Sequence, residues 1–328
     1  MFLPRRVASL LGTAVVLAGL TGLAVAPGQA APRAVGRAVS AEPLEWVALG
    51  DSYSAGVIEA TGDEFETPRD GCARTVDSYP EVLRRELGPL FSLRNVTCGA
   101  ARTVHIADES HTPLGRPLPP AGGDPDAPFA PVPPQIEHVG AEADLLTVGI
   151  GGNSAGFGEI LTRCLALGAL HGNGGTPCKD EFGAGMSERL AKVRAEYADM
   201  LGKLRAKAPS ARIITVGYPA IFPEDATRCT FHDLREFSTI THGDLEWART
   251  ELLEALNRVI EEETAARGDT FADLYEGSRG HSVCDRAGGE NWTDGILSSI
   301  VPLKFALVHP NARGQEHAAR VVEEAILG

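Results

Sequence analysis

Short apolar runs alternate with longer amphipathic stretches along most of this chain. Residues 45–49 (EWVAL) form an apolar run that stops at Gly50, the pattern of a buried strand. Residues 91–96 predict a second strand and 144–150 (DLLTVGI) a third, ended by Gly151 and Gly152. Residues 211–216 (ARIITV) predict a fourth and 269–274 a fifth. Helical periods lie between them. Ser78 can cap a helix through SYPEVLRREL, with Pro80 in its first turn and Gly88 past its end. Residues 187–208 read as an amphipathic helix before Pro209. Residues 243–267 read as a second long helix with Glu-to-Arg spacings on its polar face, and 311–327 as a C-terminal helix. Strands separated by helices imply βαβ units, and so an α/β fold with a mostly parallel sheet. Such sheets bind ligands beyond the carboxyl ends of their strands, so the segments after the first three strands are the first places to look for chemistry.

Two stretches interrupt the pattern. Residues 111–135 hold nine prolines and several glycines, which predicts a long surface loop and a candidate wall of a substrate site. Residues 164–186, rich in Cys and Gly, predict an excursion stapled by its own disulfide. The N-terminus is different again. Arg5 and Arg6 precede an apolar stretch reaching about residue 26, and Gly28, Ala30 and Ala31 offer a cleavage site. That is the form of a removable signal peptide over residues 1–30. A membrane anchor is the competing reading, since the stretch is near spanning length, but it is rich in Gly, Ala and Thr. The Arg pair also permits twin-arginine export, although Ala8 sits where that signal usually carries a large apolar residue. Residues 31–43 read as a flexible leader and 44–328 as one domain, with no later segment apolar enough to span a bilayer. After cleavage no stable membrane anchor remains, and the predicted location is extracellular.

Charge and cysteines narrow the function. The formal net charge is −14 with no Lys/Arg cluster, which argues against nucleic acid as a partner. Six cysteines, Cys72, Cys98, Cys164, Cys178, Cys229 and Cys284, behind an export signal read as three disulfides. Six cysteines allow 15 connectivities; sequential pairing closes the shortest loops. No CxxC pair and no zinc-finger His spacing occurs, so no metal site is expected.

Four local signals carry chemistry. Gly50-Asp51-Ser52-Tyr53-Ser54 follows the first strand and sets a serine hydroxyl at the sheet edge; position 54 is Ser, so this is not a GxSxG elbow. Cys98-Gly99-Ala100 follows the second strand, where a glycine lets a backbone N–H approach a ligand. Gly151-Gly152-Asn153-Ser154 follows the third and can project an amide, a neutral fixed donor suited to an oxyanion. His309-Pro310-Asn311 precedes the last helix and supplies a base that titrates near neutrality. Each alone has an ordinary explanation as a turn or a surface residue. Their order and spacing together resemble the SGNH/GDSL hydrolase family, through Ser52 in GDSYSAG, Gly99 in TCGAART, Asn153 in GIGGNSAGF and His309 in HPNARG. The cysteine pattern is similar to that of secreted actinobacterial lipases and esterases of this family, whose bridges link neighbouring cysteines.

The resemblance implies a three-layer α/β/α sandwich with a five-stranded, mostly parallel sheet. It implies a secreted serine ester hydrolase with Ser52 as nucleophile and His309 as base. An oxyanion hole would come from the Ser52 N–H, the Gly99 N–H and the Asn153 amide, with no cofactor. Two departures stand out. Asn153 is followed by Ser154 where relatives often carry Asp, and Ala306 stands where many carry an acid three residues before the histidine. A main-chain carbonyl at Ala306 or Leu307 is the expected substitute for that acid, since the task is to accept the Nδ1 proton; Asp294 is the fallback. Small-molecule or lipid esters are the expected substrates, and a monomer is the favoured state. The rival readings are a carbohydrate O-acetylesterase and a non-catalytic surface-binding module on the same fold.

Overall fold

The computed structural model describes residues 42–120 and 123–328. The predicted signal peptide, and the leader up to residue 41, lie outside the described residues. Five strands, β1 (Leu44–Gly50), β2 (Phe91–Asn95), β3 (Leu145–Gly149), β4 (Arg212–Val216) and β5 (Thr270–Ala272), form one sheet in the order β2-β1-β3-β4-β5. Every neighbouring pair is parallel. Helices α1 (Ser52–Ala55), α2 (Tyr79–Leu87), α3 (Thr103–Ala107), α4 (Phe157–His171), α5 (Pro177–Lys207), α6 (His242–Trp247), α7 (Glu254–Ala265) and α8 (Ala312–Leu327) connect and cover it.

The strands show why two layers of helix are needed. In β1, alternate side chains leave on opposite faces. Trp46 and Ala48 pack with Leu83 of α2 and Ala319 of α8, whereas Val47 and Leu49 join a larger core with Val193 and Leu201 of α5 and Leu256 of α7. All of β3 is buried, as a parallel strand covered on both faces must be. At the sheet edge, β2 alternates between half-buried and exposed positions. The result is a three-layer α/β/α sandwich around a five-stranded parallel sheet, the architecture that the family resemblance implies.

The strand order turns between β1 and β3. The chain leaves β1 toward β2 on one side and returns to β3 on the other, which opens a crevice at their carboxyl ends. Polar contacts lock this point. The Asp51 N–H donates to the Gly149 carbonyl at 3.0 Å, and the Gln135 side chain bonds both the N–H and the carbonyl of Gly50 at 2.8 and 2.9 Å.

Three elements depart from the sequence reading. The 164–186 excursion is largely helix: α4 carries Cys164, and Cys178 lies in the first turn of α5, so their disulfide joins two helices rather than closing a loop. One of its glycines is required by close packing, because a Cβ at Gly168 would lie 1.6 Å from the Thr239 carbonyl oxygen. The predicted 243–267 helix is divided into α6, a π-helical turn (Ala248–Leu253) and α7. A hairpin of β6 (Leu297–Ile300) and β7 (Leu303–Phe305), absent from the reading, precedes the histidine segment. The remaining disulfides are Cys72–Cys98 and Cys229–Cys284, so the pairing is sequential. Each bridge restricts the unfolded chain by about 3–4 kcal/mol.

The Gly168 packing gives a direct test. Gly168→Ala drives a methyl group into backbone and is expected to destabilise by about 2–3 kcal/mol. Gly174→Ala, with nothing within 4 Å of the added carbon, should stay within about 0.5 kcal/mol of wild type in thermal unfolding.

Candidate active site

Strand β1 ends at Gly50, and the chain turns at once into the short helix α1. Asp51 caps that turn, its carboxylate accepting the Tyr53 N–H at 3.0 Å, and Gly56 closes it in the left-handed region at φ 71°. The turn folds tightly onto β3: a Cβ at Gly50 would sit 2.5 Å from Ser54 Oγ and 2.6 Å from the Gly149 carbonyl oxygen. Ser52 is thereby fixed at the rim of the crevice. As the first residue of the helix, its N–H has no intrahelical acceptor.

His309 reaches the same rim from the other end of the chain. Its Nε2 lies 2.8 Å from Ser52 Oγ, and its Nδ1 lies 3.0 Å from the Ala306 carbonyl and 2.9 Å from the Leu307 carbonyl. Carbonyls only accept, so Nδ1 carries the proton and Nε2 is the lone-pair nitrogen facing the hydroxyl. Asp294 is placed otherwise. Its carboxylate accepts from Asn291 and Asn311 at 2.9 and 3.2 Å, and its N–H donates to the His309 carbonyl at 3.0 Å. Among the described residues no carboxylate bonds the imidazole.

The turn that presents those carbonyls is strained. Leu307 and Val308 both occupy the left-handed region, at φ 50° and 61°; for such residues this costs about 1–3 kcal/mol each. Hydrogen bonds hold it there. The Val308 N–H donates to Gly295 at 2.8 Å, and the Tyr53 hydroxyl donates to the Val308 carbonyl at 2.6 Å. Ser52 and the clamping Tyr53 are consecutive residues, so α1 grips the segment that carries His309.

The other two motifs meet this pair at one cleft of about 600 Å³, which both Gly99 and Asn153 line. One N–H of the Asn153 amide donates to the Ala101 carbonyl at 2.9 Å, which leaves its second N–H for a ligand. Gly99 requires a correction. Its N–H, assigned to the oxyanion on sequence grounds, donates instead to the Cys72 carbonyl at 3.0 Å. The next residue, Ala100, also lines the cleft, sits in the left-handed region at φ 62°, and has no acceptor for its N–H among the described residues. Ser154 ties the Asn153 turn to α3, its hydroxyl accepting the Thr103 N–H at 3.0 Å. The rest of the cleft is largely apolar, with Phe157, Leu161, Leu165 and Ile296 on its walls, and the Pro-rich segment contributes Leu114 and Pro117. Cys229 and Cys284, with Glu236 close by, are joined to each other and offer no thiolate to a metal.

Two ionisable groups behave unusually. Burial pushes the His309 imidazole below the ordinary histidine range, although the Leu307 and Ala306 carbonyls oppose the shift. Burial also raises the Asp51 carboxyl to about 6, against the hydrogen bonds from the Tyr218 hydroxyl and the Tyr53 N–H. Tyr218 donates to Asp51 at 2.5 Å and accepts the Gly152 N–H at 2.7 Å, which links the Ser52 turn to the Asn153 turn. The sequence reading missed Asp51, Tyr53 and Tyr218. Asp51 and Tyr53 flank the motif serine, and Tyr218 follows the carboxyl end of β4, where the parallel-sheet rule would have found it.

The family follows from the sequence match across this same framework. Residues 48–317 match the model of the GDSL-like Lipase/Acylhydrolase family. The chain belongs to that family. This GDSL-type hydrolase is 34% identical to Lipase 2 of Streptomyces coelicolor, over 91% of this chain and 89% of the relative. It is 29% identical to an esterase of Streptomyces scabiei, over 95% of both. The crystal structure of phospholipase A1 from Streptomyces albidoflavus superposes with a TM-score of 0.59 at 23% identity, covering 86% of this chain and 99% of the other. The extracellular lipase of Streptomyces rimosus gives 0.58 at 23% identity over the same shares. These two likenesses bear on the fold. Membership makes the chain an ester hydrolase of the lipase/esterase type.

Two measurements follow for the GDSL-type hydrolase. A base must be neutral to accept a proton, so kcat/KM for a soluble ester is expected to rise with pH through a midpoint below about 6.5. Asp51 binds its proton more tightly folded than unfolded, so its contribution to stability is present below about pH 4 and lost as pH rises through 6. Tyr218→Phe removes the hydroxyl that favours the ionised form. Its stability cost should therefore be larger at pH 8 than at pH 4, by about 1–2 kcal/mol in denaturant melts.

Proposed function

We propose that this chain is an exported carboxylic ester hydrolase that works through an acyl-enzyme on Ser52, with acyl or lipid esters as substrates. The observation that carries the reading is the 2.8 Å contact of Ser52 Oγ with an imidazole whose other nitrogen is bound by two carbonyls. Nε2 of His309 takes the hydroxyl proton as Oγ attacks the ester carbonyl carbon. The carbonyl oxygen becomes an oxyanion held by the Ser52 N–H, the Ala100 N–H and the free N–H of the Asn153 amide, each donor supplying about 3 kcal/mol. The C–O bond breaks as His309 returns the proton to the leaving alkoxide. Water, deprotonated by His309, then attacks the acyl-enzyme and releases the acid.

The substrate class rests on the cleft. Its apolar walls suit a hydrocarbon chain better than a sugar, which favours acyl esters over acetylated carbohydrate. Export is supported by the basic and apolar N-terminal sequence and by three disulfides, which persist in oxidising compartments. No helix among the described residues is long and apolar enough to cross a membrane.

Ser52→Ala should lower hydrolysis of a short-chain aryl ester by at least roughly a thousandfold and abolish labelling by an organophosphonate. Activity within tenfold of wild type would refute the nucleophile. Rates across esters of increasing acyl length should rise beyond acetate if the apolar cleft holds the acyl chain.

A further inference from the structure

The Gly99–Ala100 peptide is held on one edge only. In a trans peptide the C=O and the following N–H point in opposite directions. The Gly99 carbonyl lies 2.8 Å from Nε2 of His111, and that nitrogen must carry the proton because a carbonyl only accepts. Fixing this oxygen turns the Ala100 N–H the other way. Ala100 lines the cleft beside Ser52 and Asn153, and its N–H has no acceptor among the described residues.

His111 is itself firmly placed. It is buried, and its ring stacks on His105 with centroids 4.5 Å apart. His105 is oriented in turn by the Arg102 N–H, which donates to its Nδ1 at 3.1 Å. The His111 backbone exchanges hydrogen bonds with Val132 at 2.9 and 2.8 Å, which closes the base of the Pro-rich segment. Burial pushes both imidazoles below their ordinary range, so the pair stays neutral and stacks without charge repulsion.

We propose that His111 is a positioning residue for ester hydrolysis: its Nε2–H grips the Gly99 carbonyl and thereby aims the Ala100 N–H at the oxyanion. This rests on the acyl-enzyme reading above and adds a residue outside its four motifs. It also joins the substrate wall to the chemistry, because one residue anchors both the Pro-rich segment and the donor peptide. His111 touches no substrate.

The test compares two variants of similar length in the full mature chain. His111→Met has no donor, and His111→Gln keeps one. With a soluble short-chain aryl ester, His111→Met should lower kcat roughly 30- to 100-fold, as expected for a misaimed oxyanion donor, while KM changes less than about threefold. His111→Gln should recover most of that loss. A folded His111→Met that keeps kcat within threefold, or a loss confined to KM, would overturn the proposal. So would a His111→Gln as impaired as His111→Met. A second measurement follows the donor itself. Carbonyl-13C glycine with 15N alanine labels four Gly–Ala amides, at residues 99–100, 140–141, 168–169 and 183–184; the Ala100 signal, assigned by its absence from Ala100→Ser, should move downfield when a trifluoromethyl ketone forms its adduct on Ser52, and an unmoved amide counts against the proposal. If wild type and Ser52→Ala hydrolyse the ester equally, the acyl-enzyme reading fails instead.

Discussion

A 2.8 Å hydrogen bond joins residues 257 positions apart. Ser52 sits at the end of the first strand and His309 just before the last helix, so nothing local brings them together. The parallel sheet does. It places the turns after β1, β2 and β3 on one rim, and α8 packs on the same sheet, its Ala319 and Val322 buried in one core with Ile214, Val216 and Ala272 of β4 and β5. The Gln315 side chain of α8 then donates to the Tyr53 carbonyl at 2.9 Å and accepts the Tyr79 N–H at 2.8 Å. The C-terminal helix is thus fastened to the Ser52 turn and to the start of α2, and the hydroxyl–imidazole distance depends on the whole sandwich being assembled.

Much of this was legible in the sequence because it is local. The first and third strands appear as apolar runs stopped by glycine, and Ser52, Asn153 and His309 lie in short motifs directly after or before regular elements. Even the missing acid was visible, as Ala306 three residues ahead of the histidine. The departures have non-local causes. The stretch around Cys164 and Cys178 looked like a loop because glycine is a poor helix former, but Gly168 is there to let a backbone carbonyl approach. The N–H left without an acceptor is that of Ala100 rather than Gly99 for a similar reason. Residue type favours the glycine, yet which N–H is free depends on the Cys72 carbonyl, brought alongside by the Cys72–Cys98 bridge.

The supporting residues follow one rule. Each fixes a backbone atom rather than a reacting group. Tyr53 bonds the Val308 carbonyl, Tyr218 the Gly152 N–H, Ser154 the Thr103 N–H and Gln135 both polar atoms of Gly50. The geometry of this candidate site is largely main-chain geometry, and side chains act as its scaffolding. Motif reading by residue type sees the first tier and passes over the second.

The pair of carbonyls behind His309 has a consequence for the range in which the site stays organised. An orienting carboxylate can be protonated, and then it no longer holds the ring in one tautomer. The Ala306 and Leu307 oxygens are fixed dipoles with no ionisation of their own, kept in place by a turn that Tyr53 and Gly295 secure. Of the imidazole and the two groups that orient it, the imidazole alone can take up a proton. When the acid is withdrawn the ring is already facing the hydroxyl, provided the left-handed turn has survived.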